Sequence, residues 1–141
     1  MSFVATSSWE LAEGERAFSR AVRARRRAML AQRLRRRCRD CVRLAVHAAR
    51  GGAGGVVREI PLAAITGSVE PNRAAHFDRD FRPSPAARHR WLRVWQAEQR
   101  GAALPPISVI AVGDGYAVRD GHHRVSVARA RHAHSIVAAI A

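Results

Sequence analysis

Tyr116-Ala-Val-Arg-Asp-Gly-His-His-Arg-Val-Ser-Val-Ala-Arg-Ala130 is the stretch on which the reading of this chain turns. It divides into a short strand, a polar turn and an amphipathic helix that runs to about His132. The turn, Asp120 to Arg124, places two histidines, an arginine and a carboxylate around one glycine. A helix beginning near His123 leaves its first backbone N–H groups without intrahelical partners, and its dipole makes that end attractive to anions. Gly121 permits either a positive φ or the close approach of a phosphate. Arg124 adds a planar cation suited to phosphate oxygens. His122 and His123 can donate hydrogen bonds and exchange protons near neutral pH. Asp120 can orient a histidine, hold Mg²⁺ through water or act as a base. A plainer reading uses the same residues: Asp120 caps the helix and the histidines lie on the surface.

Working outward, the residues before this stretch alternate as strands and break as turns. Ile107-Ser-Val-Ile-Ala-Val112 and Tyr116–Arg119 flank Gly113-Asp114-Gly115, the pattern of a β-hairpin. A helix is predicted from Pro85 to about Arg100, with Ser84 as N-cap and Gly101 past its end. Trp91, Val94 and Trp95 share one face of it, which marks them as core. Residues 67–85 read as loop, punctuated by Pro71, Pro83 and Pro85. Val56–Ile60 is an opening strand, Pro61–Ile65 a helical turn or extended connection, and Ser135–Ile140 a closing strand. The result is a small α+β (or α/β) domain over residues 56–141.

Gly51-Gly-Ala-Gly-Gly55 separates that domain from a basic helical arm at 1–50. Ser8 is a plausible N-cap for the arm, and Phe18, Val22, Met29, Leu30, Leu34 and Cys38 lie along one apolar stripe. The chain carries 25 basic residues, every one of them arginine, against 11 acids, a formal charge of +14. Residues 1–50 hold 13 Arg and 4 acids, a net of +9; residues 51–141 hold 12 and 7, a net of +5. A balance this basic suits nucleic acid, nucleotides or an acidic partner. Arg25-Arg26-Arg27 and Arg35-Arg36-Arg37 are the candidate nucleic-acid contacts, although arginine runs on a helix most often form a solvated face.

No secretory signal and no uninterrupted apolar run of about 18 residues is present, so a cytoplasmic protein without membrane contact is expected. Two cysteines do not make a disulfide framework. Cys38-Arg-Asp-Cys41 has CxxC spacing without a second pair, and both cysteines lie near the apolar stripe, so they are expected in the core and no metal site is assigned.

The flanks of the turn resemble the ParB/sulfiredoxin superfamily. The likeness rests on Ile60-Pro-Leu-Ala-Ala-Ile65, Pro105-Pro-Ile-Ser-Val-Ile110 and Tyr116–Arg129, and it covers roughly residues 56 to 141. That superfamily has an opening strand with an I-P-L-x-x-I segment, a helix, a P-I-x-V strand, and a strand ending in a Gly-x-x-Arg turn that holds nucleotide phosphates. The turn reads G-E-R-R in ParB proteins, G-C-H-R in sulfiredoxins and D-G-H-T-R in free serine kinases. Gly121 and Arg124 match the shared glycine and arginine. His123 matches the sulfiredoxin histidine, and Asp120 and His122 match the kinase-type turn. The arm also resembles the N-terminal helix of bacterial ParB-domain proteins whose turn reads D-G-[HN]-H-R.

The resemblance implies a nucleotide, ATP or CTP with Mg²⁺, bound by Gly121, His122, His123 and Arg124. It also admits hydrolysis or phosphoryl transfer, with Asp120 or Glu70 as the catalytic carboxylate; Glu70 lies in a region comparable to the kinase acid. His122 stands where sulfiredoxin has its cysteine, so sulfinic acid reduction is not expected. The chain ends at Ala141, before any helix-turn-helix, so centromere-specific binding is not expected either. The alternative is a non-catalytic DNA- or RNA-binding accessory protein that works through the arginine-rich arm. The arm itself is left with two partners, its own domain or a second copy in a homodimer.

Overall fold

The computed structural model describes residues 8–34, 39–48 and 55–141. Arg35, Arg36, Arg37, Cys38 and residues 51–54 of the glycine linker lie outside the described residues. Helix α1 spans Ser8–Leu34, and a 3-10 turn at Arg39–Val42 precedes β1, Ala45–Val46. Then follow β2 (Val56–Pro61), a 3-10 turn (Leu62–Ala64), β3 (Ile65–Ser68) and α2 (Pro71–Ala74). A 3-10 turn (Pro85–Ala87) leads into α3 (Arg88–Gln99), and β4 (Ile107–Val112), β5 (Gly115–Asp120), α4 (His122–Ala130) and β6 (Ser135–Ile140) complete the chain.

The architecture is α+β. The six strands form one mixed sheet in the order β1-β3-β5-β4-β6-β2. β4 and β5 form the expected hairpin, closing at Val112 opposite Gly115. β2 runs antiparallel to β6, β4 runs parallel to β6, and β3 runs parallel to β5. The loop expected after residue 67 begins inside a strand, since β3 extends to Ser68 and pairs with both β1 and β5. Ile65-Thr-Gly-Ser68 carries no alternation and includes a glycine, so its strand state comes from its neighbours rather than from local propensity.

One core packs α4 on the sheet and a second packs the helices on one another. Ile60, Ile65, Ile107, Val109, Val118 and Val125 are among the residues packed between the strands and α4. A second cluster joins three helices: Ala17, Phe18 and Val22 of α1 meet Trp91 and Trp95 of α3 and Val127 of α4. Phe18 and Trp91 have ring centroids 5.3 Å apart, and Trp91 stacks on Trp95 at 5.5 Å. The buried Trp91 indole N–H donates to Ser126 Oγ at 2.9 Å, satisfying its one polar atom.

The apolar stripe of α1 does not dock along its whole length. Phe18 and Val22 are buried, but Met29, Leu30 and Leu34 are 42%, 56% and 77% exposed. Length explains this. At about 1.5 Å per residue, the 27 residues of α1 far outreach the 12 of α3 that receive them.

The segment after α2 is compact. The buried Asp78 carboxylate accepts the backbone N–H groups of Asp80 and Arg82, each at 2.9 Å. Burial raises the Asp78 pKa, opposed by the hydrogen bond and charge of Arg82. Phe81 sits in this turn at φ +58° and is fully buried, a backbone state that non-glycine residues rarely adopt. At the other end of the domain, α4 closes with His132 at φ +59°. Ala133 N–H donates to Ala128 O and His132 N–H to Arg129 O, both at 3.0 Å. That is the pattern of a Schellman cap, which usually places glycine at this position.

Candidate functional site

Asp120 ends β5, Gly121 is the N-cap residue of α4, and His122 is its first residue. The helix begins one residue earlier than the sequence alone suggests. Gly121 has φ +111°, and a Cβ there would stand 2.5 Å from Ile107 Cγ2. The glycine is therefore required by a left-handed backbone and by contact with β4.

The two histidines have different surroundings. His122 points into the protein and is 1% exposed. Phe77 and Phe81 flank its ring at 6.2 and 6.4 Å, and its Nε2 lies 2.6 Å from Ser68 Oγ. Burial lowers its pKa to about 4, helped by the positive charge of Arg73. His123 is half-buried and meets the edge of Phe77 at 5.1 Å. Its pKa is also lowered to about 4, first by burial and then by Arg90, His76 and Arg73. Both rings are neutral at pH 7.

Arg124 is partly committed. Its guanidinium donates to Pro105 O and so ties the first turn of α4 to the segment before β4, while Nε is buried without a partner. Asp120 is exposed and pairs with Arg73 of α2 at 2.7 Å. Glu70 is exposed and precedes α2, and its backbone N–H donates to Ser68 Oγ at 2.9 Å. Because β3 and β5 run parallel, Asp120 at the end of β5 and Glu70 just after β3 lie at the carboxyl ends of neighbouring strands, along one rim of the sheet. In sheets with parallel strands the carboxyl ends are where ligand crevices form.

A cleft of about 460 Å³ opens at this rim, lined by Asp120 through Arg124 together with Arg73, Arg90 and Arg93. The volume falls within the roughly 300–1,000 Å³ typical of small-molecule sites. Val94, Ala97, Leu104, Pro105 and Pro106 supply an apolar wall. Four arginines thus face one carboxylate, and that carboxylate is already paired. Among the described residues, no carboxylate forms an ion pair with Arg90 or Arg93.

The structure therefore brings together all of the turn residues named from sequence and sets Glu70 beside Ser68 at the same rim of the sheet. Arg26 and Arg27 are exposed on α1, whereas Arg25 lines a separate cavity between α1, β1 and α2. Sequence reading missed Arg73, Arg90, Arg93 and Ser68. Arg90 and Arg93 carried a signal, since they sit three apart on the helix whose opposite face holds Trp91 and Trp95. Arg73 and Ser68 carried none.

No family model matches this chain, and no curated protein does. A solved structure of sulfiredoxin from Arabidopsis thaliana is similar to it. The identity is 20% and the TM-score 0.39, over 61% of this chain and 84% of that one. Among the described residues, no helix is long and apolar enough to cross a membrane, and no group of three or more His, Cys, Asp or Glu residues is placed to hold a metal ion.

Proposed function

We propose that the cleft at the start of α4 binds a nucleotide through its phosphates. One observation carries this reading: Arg73, Arg90, Arg93 and Arg124 converge with a helix N-terminus on a cleft whose single carboxylate is already paired. Backbone N–H groups and guanidinium forks are the donors that phosphate oxygens need. The apolar wall from Val94 to Pro106 suits the less polar part of such a ligand. The likeness of Asp120–Arg124 to the phosphate-holding turn of the ParB/sulfiredoxin superfamily supports the same reading.

Mg²⁺ would enter on the ligand's phosphates, with Asp120 as the hard oxygen donor in the cleft and Glu70 as a second candidate after the neighbouring strand. The metal would supply charge neutralisation of the phosphates. Hydrolysis or phosphoryl transfer would use Asp120 or Glu70 to accept a proton from the attacking group.

Isothermal titration with ATP, ADP, CTP and GTP, each with and without Mg²⁺, tests the proposal. Binding should weaken at least about tenfold in the double variant Arg90→Ala/Arg93→Ala, the expected scale for lost charge-assisted hydrogen bonds. Both side chains are exposed, so the fold should survive. Absence of heat with every nucleotide at millimolar concentration would overturn it.

A second reading concerns a longer polyanion. Arg26 and Arg27 lie exposed on the C-terminal half of α1. Under this reading DNA or RNA binds along α1, and affinity falls steeply with salt. A gel shift unaffected by Arg26→Ala/Arg27→Ala would remove it.

A further inference from the structure

Ser68 has one hydroxyl proton and two lone pairs. The Glu70 backbone N–H occupies one lone pair at 2.9 Å. Two acceptors compete for the proton: His122 Nε2 at 2.6 Å and Glu70 O at 3.3 Å. An O–H donor favours about 2.7–2.8 Å, whereas an N–H donor to oxygen favours about 2.9–3.0 Å. The short contact suits Ser68 as donor to the ring, and the longer one is a poor alternative. A neutral imidazole carries one N–H, so donation to Nε2 places that proton on Nδ1.

His122 Nδ1 is buried and has no hydrogen-bond partner. His122 is the first residue of α4 and lines the arginine-rich cleft. The helix N-terminus is thus accompanied by a buried donor that the protein leaves unused, and buried donors are rarely left so. Phe77 and Phe81 pack around the same ring, at 6.2 and 6.4 Å between centroids.

We infer that Ser68 is a positioning residue that holds His122 as the Nδ1–H tautomer, so that this N–H donates to a phosphate oxygen of the ligand at the start of α4. This rests on the phosphate site proposed above and adds two things to it: a donor, and the residue that sets the donor's tautomer. Ser68 is 0% exposed and does not itself meet the ligand. It also links the Glu70 backbone to the first turn of α4, so the β3–α2 connection and the helix N-terminus are held as one unit.

The test uses full-length protein labelled with ¹⁵N at its seven histidines, with inorganic tripolyphosphate as the probe. His122→Gln assigns the His122 signals by their loss. Long-range ¹H–¹⁵N spectra of the free protein should show Nδ1 protonated and Nε2 bare, and tripolyphosphate should shift the Nδ1–H resonance. Ser68→Ala should give a mixture of tautomers and about tenfold weaker binding, the scale of one hydrogen bond to a charged group. Ser68→Thr, which keeps the hydroxyl, should restore both. An Nε2–H tautomer in the free wild-type protein overturns the inference, and so does saturating tripolyphosphate that leaves Nδ1–H unchanged. If the wild-type protein binds no tripolyphosphate, the phosphate site and the donor's role both fall, while the free-protein spectrum still decides what Ser68 does.

Discussion

Ser68 Oγ and His122 Nε2 lie 2.6 Å apart in the interior, joining the end of β3 to the first residue of α4 across 54 positions of sequence. Around this bond the ring is neutral, because burial holds its pKa near 4 against the ordinary 6.5. The unfolded chain binds a proton at His122 below about pH 6.5 and the folded protein does not. The contribution of this histidine to stability is therefore complete above pH 6.5 and is lost as the pH falls through about 4. The shift corresponds to something on the order of 3 kcal/mol. Denaturant unfolding across pH 4–7 should show stability falling toward acid, and His122→Gln should make that slope shallower, leaving the share of His123, whose pKa is lowered alike. An unchanged slope in the variant would place the acid sensitivity elsewhere.

Gly121 should tolerate no side chain. It combines φ +111° with a Cβ position 2.5 Å from Ile107 Cγ2, so alanine meets both backbone strain and a packing clash with a buried residue. Gly121→Ala should destabilise the domain by about 2–4 kcal/mol, the sum of a positive-φ penalty and modest overpacking. Thermal unfolding measures it. Because α4 would have to shift, phosphate affinity should fall even at temperatures where the variant stays folded. A neutral effect on melting would mean that this turn can adopt another backbone.

What the sequence revealed and what it hid follow from the range of the interactions. Tyr116–Ala130 was legible because strand, turn and helix lie within 15 consecutive residues and each follows from local rules. Trp91 and Trp95 were legible from helical spacing. β3 was not, because Ile65–Ser68 has no period of its own and becomes a strand only between β1 and β5. The same limit hid the chemistry. The turn residues could be named, but Ser68 reaches His122, and Arg73 reaches Asp120, only after parallel pairing of β3 with β5 brings their ends together. The exposed end of α1 was hidden for another reason: an apolar stripe records which residues can pack, not how long the receiving helix is.

Asp120 and Arg73 form an exposed ion pair at 2.7 Å, with side chains 75% and 43% accessible. Such a pair contributes about 0–1 kcal/mol to stability, so Asp120→Asn should leave melting nearly unchanged. Its effect on the cleft should be larger, since it removes the one negative charge among the lining residues and releases Arg73. Metal-free tripolyphosphate should bind several-fold more tightly, by an amount that shrinks with added salt. If Asp120 also serves a Mg²⁺ ion, the gain should vanish or reverse when the titration is repeated with Mg²⁺. Equal gains with and without the metal would remove Asp120 from any metal-holding role.

Phe18 decides whether α1 stays on the domain. It is 5% exposed and packs on Trp91, and with Ala17 and Val22 it forms the apolar contact of α1 with α3 and α4. Around it the surface is polar. The Arg88–Glu15 pair is half-exposed on both sides, and contacts of that kind add little. Truncating a buried phenylalanine costs about 3–5 kcal/mol, which is large compared with what the rest of this helix interface supplies. Phe18→Ala should therefore release α1 before the sheet unfolds. Hydrogen exchange should show protection lost along residues 8–34 and kept in β4, β5 and β6. Trp91, fully buried in the intact protein, should gain exposure and shift its fluorescence to the red. Tripolyphosphate affinity should persist, because no cleft residue lies on α1. Loss of protection throughout the sheet would instead show that α1 and the strands unfold as a single cooperative unit.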